Sequence, residues 1–408
     1  MIRHETNCRH EEFPMQHMSK DDDVSITLFH GLEGVESLQS TWEDIISGMD
    51  RRRFFHLWEW YYSYLKCLAP DPGDLRFFLF KKGEAPVAIF PLQFAKISIG
   101  GLRLKALTFP PHDHLLLCDL ICHRDALHLP LFQLLADHLR DQNQSWDLIQ
   151  LPHLLEDACA IQVVHNHPPA KSLIKHEGRC DFLDATGNHE SFLSGLSRNF
   201  RRNLKRAKQY LDEWPGYRFA FTQNGPELDE RFEAFLDVEA SGWKGALGSG
   251  TAIKLHPNLT CFYRMLGHKL SAAGKISINT LTADGKCIAA QYCILLDDTV
   301  YILKIGYDES YKRCAPGNLL VDLFLKRSME SGTVNNINLV TDAPWHEDWR
   351  PKSYAKSNLH IFNATPAGIL GYVILRCHPI FKKHYQAYIQ PHLPQWIQEW
   401  IERRSHET

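Results

Sequence analysis

Residues 300–326, VYILKIGYDESYKRCAPGNLLVDLFLK, carry the chemistry that is easiest to read in this chain. The apolar run of Val300, Ile302 and Ile305 ends in Tyr307-Asp308, and Ala315-Pro316-Gly317 then opens an amphipathic helix with Leu319, Leu320, Leu323 and Leu325 on it. A strand, a short loop and a helix begun by Pro and Gly leave backbone N–H groups without intrahelical acceptors. Those donors and the positive end of the helix dipole together suit a phosphate. A nucleotide-like cofactor with a pyrophosphate fits that seat. An ordinary helix start fits the same residues, because Pro and Gly are common there.

A second constellation is cationic. Arg198, Arg201, Arg202, Lys205 and Arg206 recur at three- and four-residue spacing, while Phe200, Leu204, Ala207 and Leu211 line another face of the same helix. Such a helix is anchored by its apolar side and turns its cations outward, with Lys208 adding a sixth. The anion it would meet is a phosphate of a cofactor, a phospholipid or lipid-linked sugar, a nucleotide sugar, or RNA; a plainly solvated face is the alternative. RNA is the weakest of these, because no stacking aromatics accompany the cations. Polar residues also stand in apolar strands: Gln291 and Lys304 require a partner or a ligand if they point inward. Trp243, Lys244 and Tyr301 fall on neighbouring segments.

The elements that must position these groups follow from periodicity. Residues 24–30 alternate as a strand, and 34–66 read as two helices with Trp42, Ile45, Ile46, Trp58, Trp60, Tyr61, Tyr64 and Leu65 inward. A hairpin joins 75–82 to 86–94 through Gly83-Glu84, and 102–109 and 114–121 read as further strands. A helix over 126–141, a strand over 146–151, a helix near 155–165 and a strand over 172–183 complete the first half. The second half repeats that order: a helix over 189–213, a strand over 217–223, helices over 226–242 and 258–273, and strands over 275–283, 286–296 and 299–307. A helix over 316–331 and strands over 336–342 and 359–363 follow, then helices over 366–405. Two halves of like order point to a duplicated αβ module.

At 408 residues the chain has room for about two domains. Its 44% hydrophobic and 11% aromatic content support real cores, and a net charge of −3 provides no global field for nucleic acid or membrane. Eleven cysteines lack paired spacing. With a polar start at 1–23 and no apolar run of about 18 residues, reduced thiols in the cytoplasm are expected. Cys118-x3-Cys122-His123 has a hint of metal spacing, but it lies in the apolar run LLLCDLIC, and no metal is expected.

Order and motifs together resemble the GNAT acyltransferase superfamily. More narrowly they resemble the tandem-domain branch found with bacterial cellulose and exopolysaccharide synthesis, which is related to Fem-type aminoacyltransferases. The resemblance spans about 24–375. It rests on RNFRRNLKRAKQYL (198–211), Gly242-Trp243-Lys244, Ile288-Ala289-Ala290-Gln291, Gly306-Tyr307-Asp308 and Ala315-Pro316-Gly317, with PVAIFPLQF and GLRLKALTF in the first half. It implies an α/β (α+β) fold of two tandem GNAT-like domains, each a mixed, mostly antiparallel twisted sheet flanked by helices. Their expected limits are 24–185 and 186–375, between a disordered tail at 1–23 and a helical extension at 376–408.

The resemblance also implies a donor and a reaction. Acetyl-CoA or another acyl-CoA would set its pyrophosphate against Lys312, Ala315, Gly317, Asn318 and Leu319. There Lys312-x-x-Ala315-Pro316-Gly317 aligns with the family's Gln/Arg-x-x-Gly-x-Gly/Ala loop. Ala315 replaces the first glycine, and Pro316 removes one N–H donor. The family's reaction centre lies where the strand before the phosphate helix parts from the strand after it. That makes Asp342 the leading general base, with His346 and Glu347 as competitors, although a carboxylate there also serves as a helix cap. Tyr307 would protonate the leaving thiolate or simply pack. Trp345 and Trp349 would stack on a sugar or belong to the core. Trp243, Lys244, Gln291, Tyr301, Lys304, Trp345 and Arg202 are the implied acceptor contacts.

The implied activity is acyl transfer to an amine or hydroxyl of a saccharide or glycolipid precursor in the cytoplasm. The first half, without a glycine at its corresponding helix start, would complete the acceptor cleft. Polysaccharide-synthesis proteins and peripheral contact with a membrane are compatible partners; nucleic acid is not expected. Two alternatives stay open: a Fem-like transferase using aminoacyl-tRNA, and a non-catalytic GNAT-fold component of a polysaccharide-synthesis complex.

Overall fold

The computed structural model describes residues 24–214 and 216–384. The expected tail at 1–23 and the part of the expected helical extension beyond 384 lie outside that range. The first half runs β1 (Val24–His30), α1 (Gly31–Ser37), α2 (Gln39–Ser47), α3 (Trp58–Cys67), β2 (Leu75–Lys82), β3 (Ala85–Ile99), β4 (Leu102–Thr108) and β5 (Ile121–Cys122). It continues with α4 (Leu131–Asp141), β6 (Leu148–Leu155), α5 (Cys159–Asn166) and β7 (Ser172–Asp184). The second half runs α6 (His189–Gly195), α7 (Arg198–Asp212), β8 (Arg218–Thr222), α8 (Glu227–Ser241), α9 (Pro257–Ser271), β9 (Ile276–Ala283), β10 (Lys286–Leu296) and β11 (Thr299–Tyr307). It ends with α10 (Pro316–Ser331), β12 (Asn336–Asn338), β13 (Lys352–Phe362) and α11 (Pro366–His384).

The mixed α/β expectation holds, with one continuous mixed sheet ordered β1-β2-β3-β4-β6-β13-β7-β12-β11-β10-β9-β8. Read inward from either end, the order is the same. Four antiparallel strands come first (β1 to β4, or β8 to β11), and then one parallel partner (β6 on β4, or β12 on β11). Next comes a strand donated by the other half: β13 beside β6, and β7 beside β12. The donated strands pair with each other antiparallel over Lys352–Ile361 and Ser172–Phe182. The chain limit expected at 185 therefore falls between β7 and α6, but the sheet does not divide there.

Four differences from the sequence expectation have local causes. The run 114–121 is apolar because it is buried, not because it is a strand; only Ile121 and Cys122 pair, with β3. The strand expected over 336–342 stops at Asn338, whose side-chain oxygen accepts the Val340 N–H at 2.8 Å while Val340 takes φ 66°. The last strand begins at Lys352 instead of 359, since its polar first half is held by backbone pairing with β7. The helix expected over 189–213 breaks at Ser197, whose hydroxyl caps α7 through the Phe200 N–H.

Of four apolar clusters among the described residues, the two largest lie on opposite faces of the sheet. The larger joins the halves: Phe54 meets Tyr301 with ring centroids 5.0 Å apart, and Trp60 meets Phe262 at 5.2 Å. The other sits under α7 and α10, with Phe200 against Trp349 at 5.1 Å. Cys67 at the end of α3 and Cys261 in α9 form a disulfide with Cα atoms 5.7 Å apart. This corrects the expectation of thiols only: the two helices meet face to face across 194 residues of chain, a contact that spacing cannot reveal. Cys118 and Cys122 are free and buried.

Candidate active site

The site is opened by a parting of strands. β11 and β12 pair in parallel only at Thr299–Asn336, Val300–Ile337 and Tyr301–Asn338. Beyond that the Asn338–Val340 turn takes the chain away, while β11 runs on to Tyr307. The gap is a cleft of about 570 Å³, walled by Ile305, Gly306 and Tyr307, by Ala343, Pro344 and Trp345, and by Lys312, Ala315, Gly317 and Asn318. Glu239, Gly242, Trp243 and Lys244 close the remaining side.

α10 presents its start to this cleft. Ala315 takes the left-handed conformation (φ 40°, ψ 54°), Pro316 follows, and no side chain caps the helix. Its N-terminal turn therefore offers the Gly317 and Asn318 N–H groups. Leu319 does not contribute: its N–H is spent on the Ala315 carbonyl at 3.0 Å, and its side chain is buried. At the other end Gly332 (φ 63°) stops the helix, so Pro-in and Gly-out signals both operate. A Cβ at position 317 would meet only Tyr307 Cδ1, at 3.4 Å, which leaves space in front of the amides.

The cleft floor is a buried ion pair. Glu239 occupies an inward position of α8, one turn after Phe235 and Leu236, and accepts from Lys244 Nζ at 3.1 Å and from the Ile253 N–H at 2.8 Å. Lys244 also donates to the Ile305 carbonyl at 3.2 Å, one of the groups released where the strands part. Gly306 permits this approach, because a Cβ there would lie 2.7 Å from Glu239 Cα. Glu239 is absent from the residues expected above; its signal in the sequence is a carboxylate at an apolar helix position.

Beside the floor stands Lys304. Tyr292 pairs with Lys304 and Cys293 with Ile302, so Leu303 is an extra residue in β11. This bulge brings Lys304 onto the face of Tyr292, toward the first half. Burial, and then the nearby Lys244 ammonium, push its pKa down to about 8 against the pull of Glu239. The segment 110–114 of the first half reaches the same place. His114 Nδ1 lies 2.8 Å from the Tyr263 hydroxyl, and burial followed by Lys304 and His112 holds its pKa down at about 3. His114 is thus neutral at working pH.

The expected residues divide clearly. Trp243, Lys244, Tyr307, Lys312, Ala315, Gly317, Asn318 and Trp345 share the cleft. Asp342 does not line it: its carboxylate is exposed and lies over Gly178 of β7. His346 is buried behind Trp345 with Nδ1 3.0 Å from Asp181, which also accepts from Arg179 and Ser353. Burial lowers the His346 pKa, with Asp181 opposing. Glu347 pairs with Arg179 at the surface. Gln291 is fully buried and accepts from Asn279 at 3.1 Å, so its polar partner is in the sheet. Tyr301 packs on Phe54 in the core between the halves, Trp349 is core, and Arg202 is exposed on α7.

Residues 198–349 match the family model described as an acetyltransferase (GNAT) domain. No curated protein matches the sequence. Among solved structures, L-PGS from Bacillus licheniformis shares 16% identity over 82% of this chain and 95% of its own, with a TM-score of 0.48. A conserved protein of unknown function from Bacteroides thetaiotaomicron shares 13% over 81% and 97%, at 0.49. A tandem GNAT protein from the clavulanic acid biosynthesis pathway shares 11% over 82% and 98%, at 0.43. The matched residues 198–349, which hold α7, the parted strands and the start of α10, are similar to an acetyltransferase (GNAT) domain.

Proposed function

We propose that the chain is an acyl-CoA-dependent acyltransferase, with the donor's pyrophosphate at the Gly317 and Asn318 amides and its thioester between β11 and the Ala343–Trp345 segment. One observation carries this reading: the uncapped start of α10, Tyr307 and the Lys244–Glu239 pair line a single cleft made by parting strands. Either feature alone would be ordinary; together they give an anion seat at the mouth and a polar floor behind it. In this reading Tyr307, at the end of β11 and in the wall of the same cleft, hands a proton to the departing thiolate.

The acceptor reading favours an amine. A hydroxyl needs a base, yet Glu239, the one carboxylate lining the cleft, has both oxygens engaged by Lys244 and Ile253. An amine needs only to be neutral. Lys244 at the floor and the buried Lys304 beside it add positive charge near the cleft, which disfavours an ammonium ion. A saccharide or glycolipid precursor bearing an amino group remains the acceptor class implied by the family resemblance.

Titration calorimetry with acetyl-CoA, longer acyl-CoAs and free CoA tests the donor assignment. Binding of free CoA with an affinity near that of its thioesters is expected, because the seat reads the pyrophosphate. Absence of heat with all three would remove the assignment and leave the aminoacyl-tRNA-dependent and non-catalytic alternatives.

A further inference from the structure

The side chains of the six cations of α7 find no partner among the described residues. Arg198, Arg201, Arg202, Lys205, Arg206 and Lys208 are all exposed, and none of their side chains enters a hydrogen bond, ion pair or ring contact with another described residue. Elsewhere the surface cations of this chain are commonly paired, as in Arg52 with Asp297, Lys254 with Asp237 and Lys352 with Asp184. The net charge of −3 makes the concentration on one helix a local arrangement.

That helix borders the cleft mouth. Its last turns flank residues 309–314 on one side: Arg313 lies over the Tyr210 ring at 4.6 Å, and Trp214 meets Tyr311 at 5.2 Å. The loop after α8 flanks the same residues on the other side, where the Trp243 N–H donates to Glu309 at 3.0 Å. This loop is tied down by Ser249 N–H to the Trp243 carbonyl at 2.8 Å and by Ala252 N–H to the Lys244 carbonyl at 2.9 Å. It nevertheless holds Trp243 at 59% exposure and Leu247 entirely in solvent, at 106%. Trp214, 36% exposed, and Tyr307, 37%, stand along the same rim.

We propose that this rim is a docking face for an anionic lipid surface, with the α7 cations at the phosphates and the Trp243–Leu247 loop at the boundary of headgroup and acyl chains. Unpaired cations together with exposed indole and aliphatic side chains are the composition of an interfacial contact. A nucleic acid would satisfy the cations alone, and it gives a fully exposed leucine nothing to bury in. Among the described residues no helix is long and apolar enough to cross a membrane, so the contact is peripheral. Docked this way, the cleft mouth faces the bilayer, where a lipid-borne acceptor enters without leaving its membrane. The inference concerns how the chain meets its acceptor and stands whether or not the donor is CoA.

Co-sedimentation with vesicles of phosphatidylcholine alone, and of phosphatidylcholine mixed with phosphatidylglycerol, tests it. Binding only to the anionic vesicles, weakened by salt, is expected. Since each Lys or Arg near an anionic surface strengthens binding about fivefold, the triple variant Arg201→Gln, Lys205→Gln, Lys208→Gln should lose about a hundredfold. Leu247→Asp should lose about tenfold while keeping the parent's melting temperature, as it removes insertion and nothing else. Failure to prefer anionic vesicles would overturn the proposal. So would a Leu247→Asp variant that binds like the parent, or transfer RNA that binds more tightly than vesicles and is indifferent to Leu247→Asp; that last result would mark an RNA face.

Discussion

The two halves place the same three elements differently, and the difference explains why only one holds a candidate donor site. In the second half, β11 passes to α10 through the short segment 308–315, and the start of α10 stays open to the cleft. In the first half, β4 passes to α4 through the long segment 109–130, and α4 begins with Leu131 and Phe132 buried in the core. Space equivalent to the donor cleft, between the ends of β4 and β6, is lined by Phe109, Pro110, Pro111, Leu115 and Leu116. The long segment is pinned by Asp119, which accepts from the Cys159 and Ala160 N–H groups at 2.7 and 3.1 Å and so caps α5. Its tip, His112 to His114, turns to the partner half and meets Tyr263. Of two halves alike in element order, one presents an open helix start to a cleft, and the other sends the corresponding segment to the wall of that neighbour's cleft.

Five substitutions would break or sharpen that contrast. The largest effect is expected from Leu131→Asp, which sets a carboxylate at the buried start of α4: a loss of about 4 kcal/mol in denaturant unfolding, or failure to fold. The matching change on α10, Gly317→Asp, should leave the melting temperature alone and weaken CoA binding about a hundredfold by calorimetry, close to 2.7 kcal/mol. Equal outcomes for the two variants would erase the distinction drawn between the helix starts. Asp119→Ala should cost about 2 kcal/mol by removing a buried cap. In steady-state kinetics it should raise the acceptor KM while donor affinity holds.

Lys304→Met should stabilise the fold by about 1–2 kcal/mol at pH 7, since a half-buried ammonium is removed. Its folded pKa near 8 lies below the ordinary lysine value, so between the two the unfolded chain binds more protons than the folded one. Stability of the parent therefore rises as pH climbs through that window, and the variant should lack this rise in melts taken at successive pH values. The smallest effect is expected from Asp342→Asn, which should keep turnover within about twofold because the carboxylate lies outside the cleft. A large loss of rate there would return Asp342 to the chemistry and require the 338–345 segment to move.

Much of the molecule was legible residue by residue. Strands β10 and β11 and helix α10 fall where alternation, the Asp297-Asp298 turn and the Pro316 and Gly332 signals put them. The cleft residues that were found, such as Tyr307 and Gly317, lie within one contiguous segment. Those missed or misplaced depend on distant chain. Glu239 matters because α8 crosses Gly306, and Gln291 turns into the sheet, where its Oε1 accepts from Asn279 while its Nε2 has no partner among the described residues. Asp342 leaves the site because Asn338 turns the backbone first.

Local chemistry by itself determined the helix with an open amide-bearing start, the cationic stripe of α7 and the repeat of element order. These depend on dihedral preferences and periodicity within a few residues. Only the tertiary structure decided that β7 and β13 change sides, that a one-residue bulge at Leu303 re-aims Lys304, and that Cys67 meets Cys261. Each of those is set by pairing between segments far apart in the chain, where register and burial are chosen by the partner strand or helix and leave no mark in the nearby sequence.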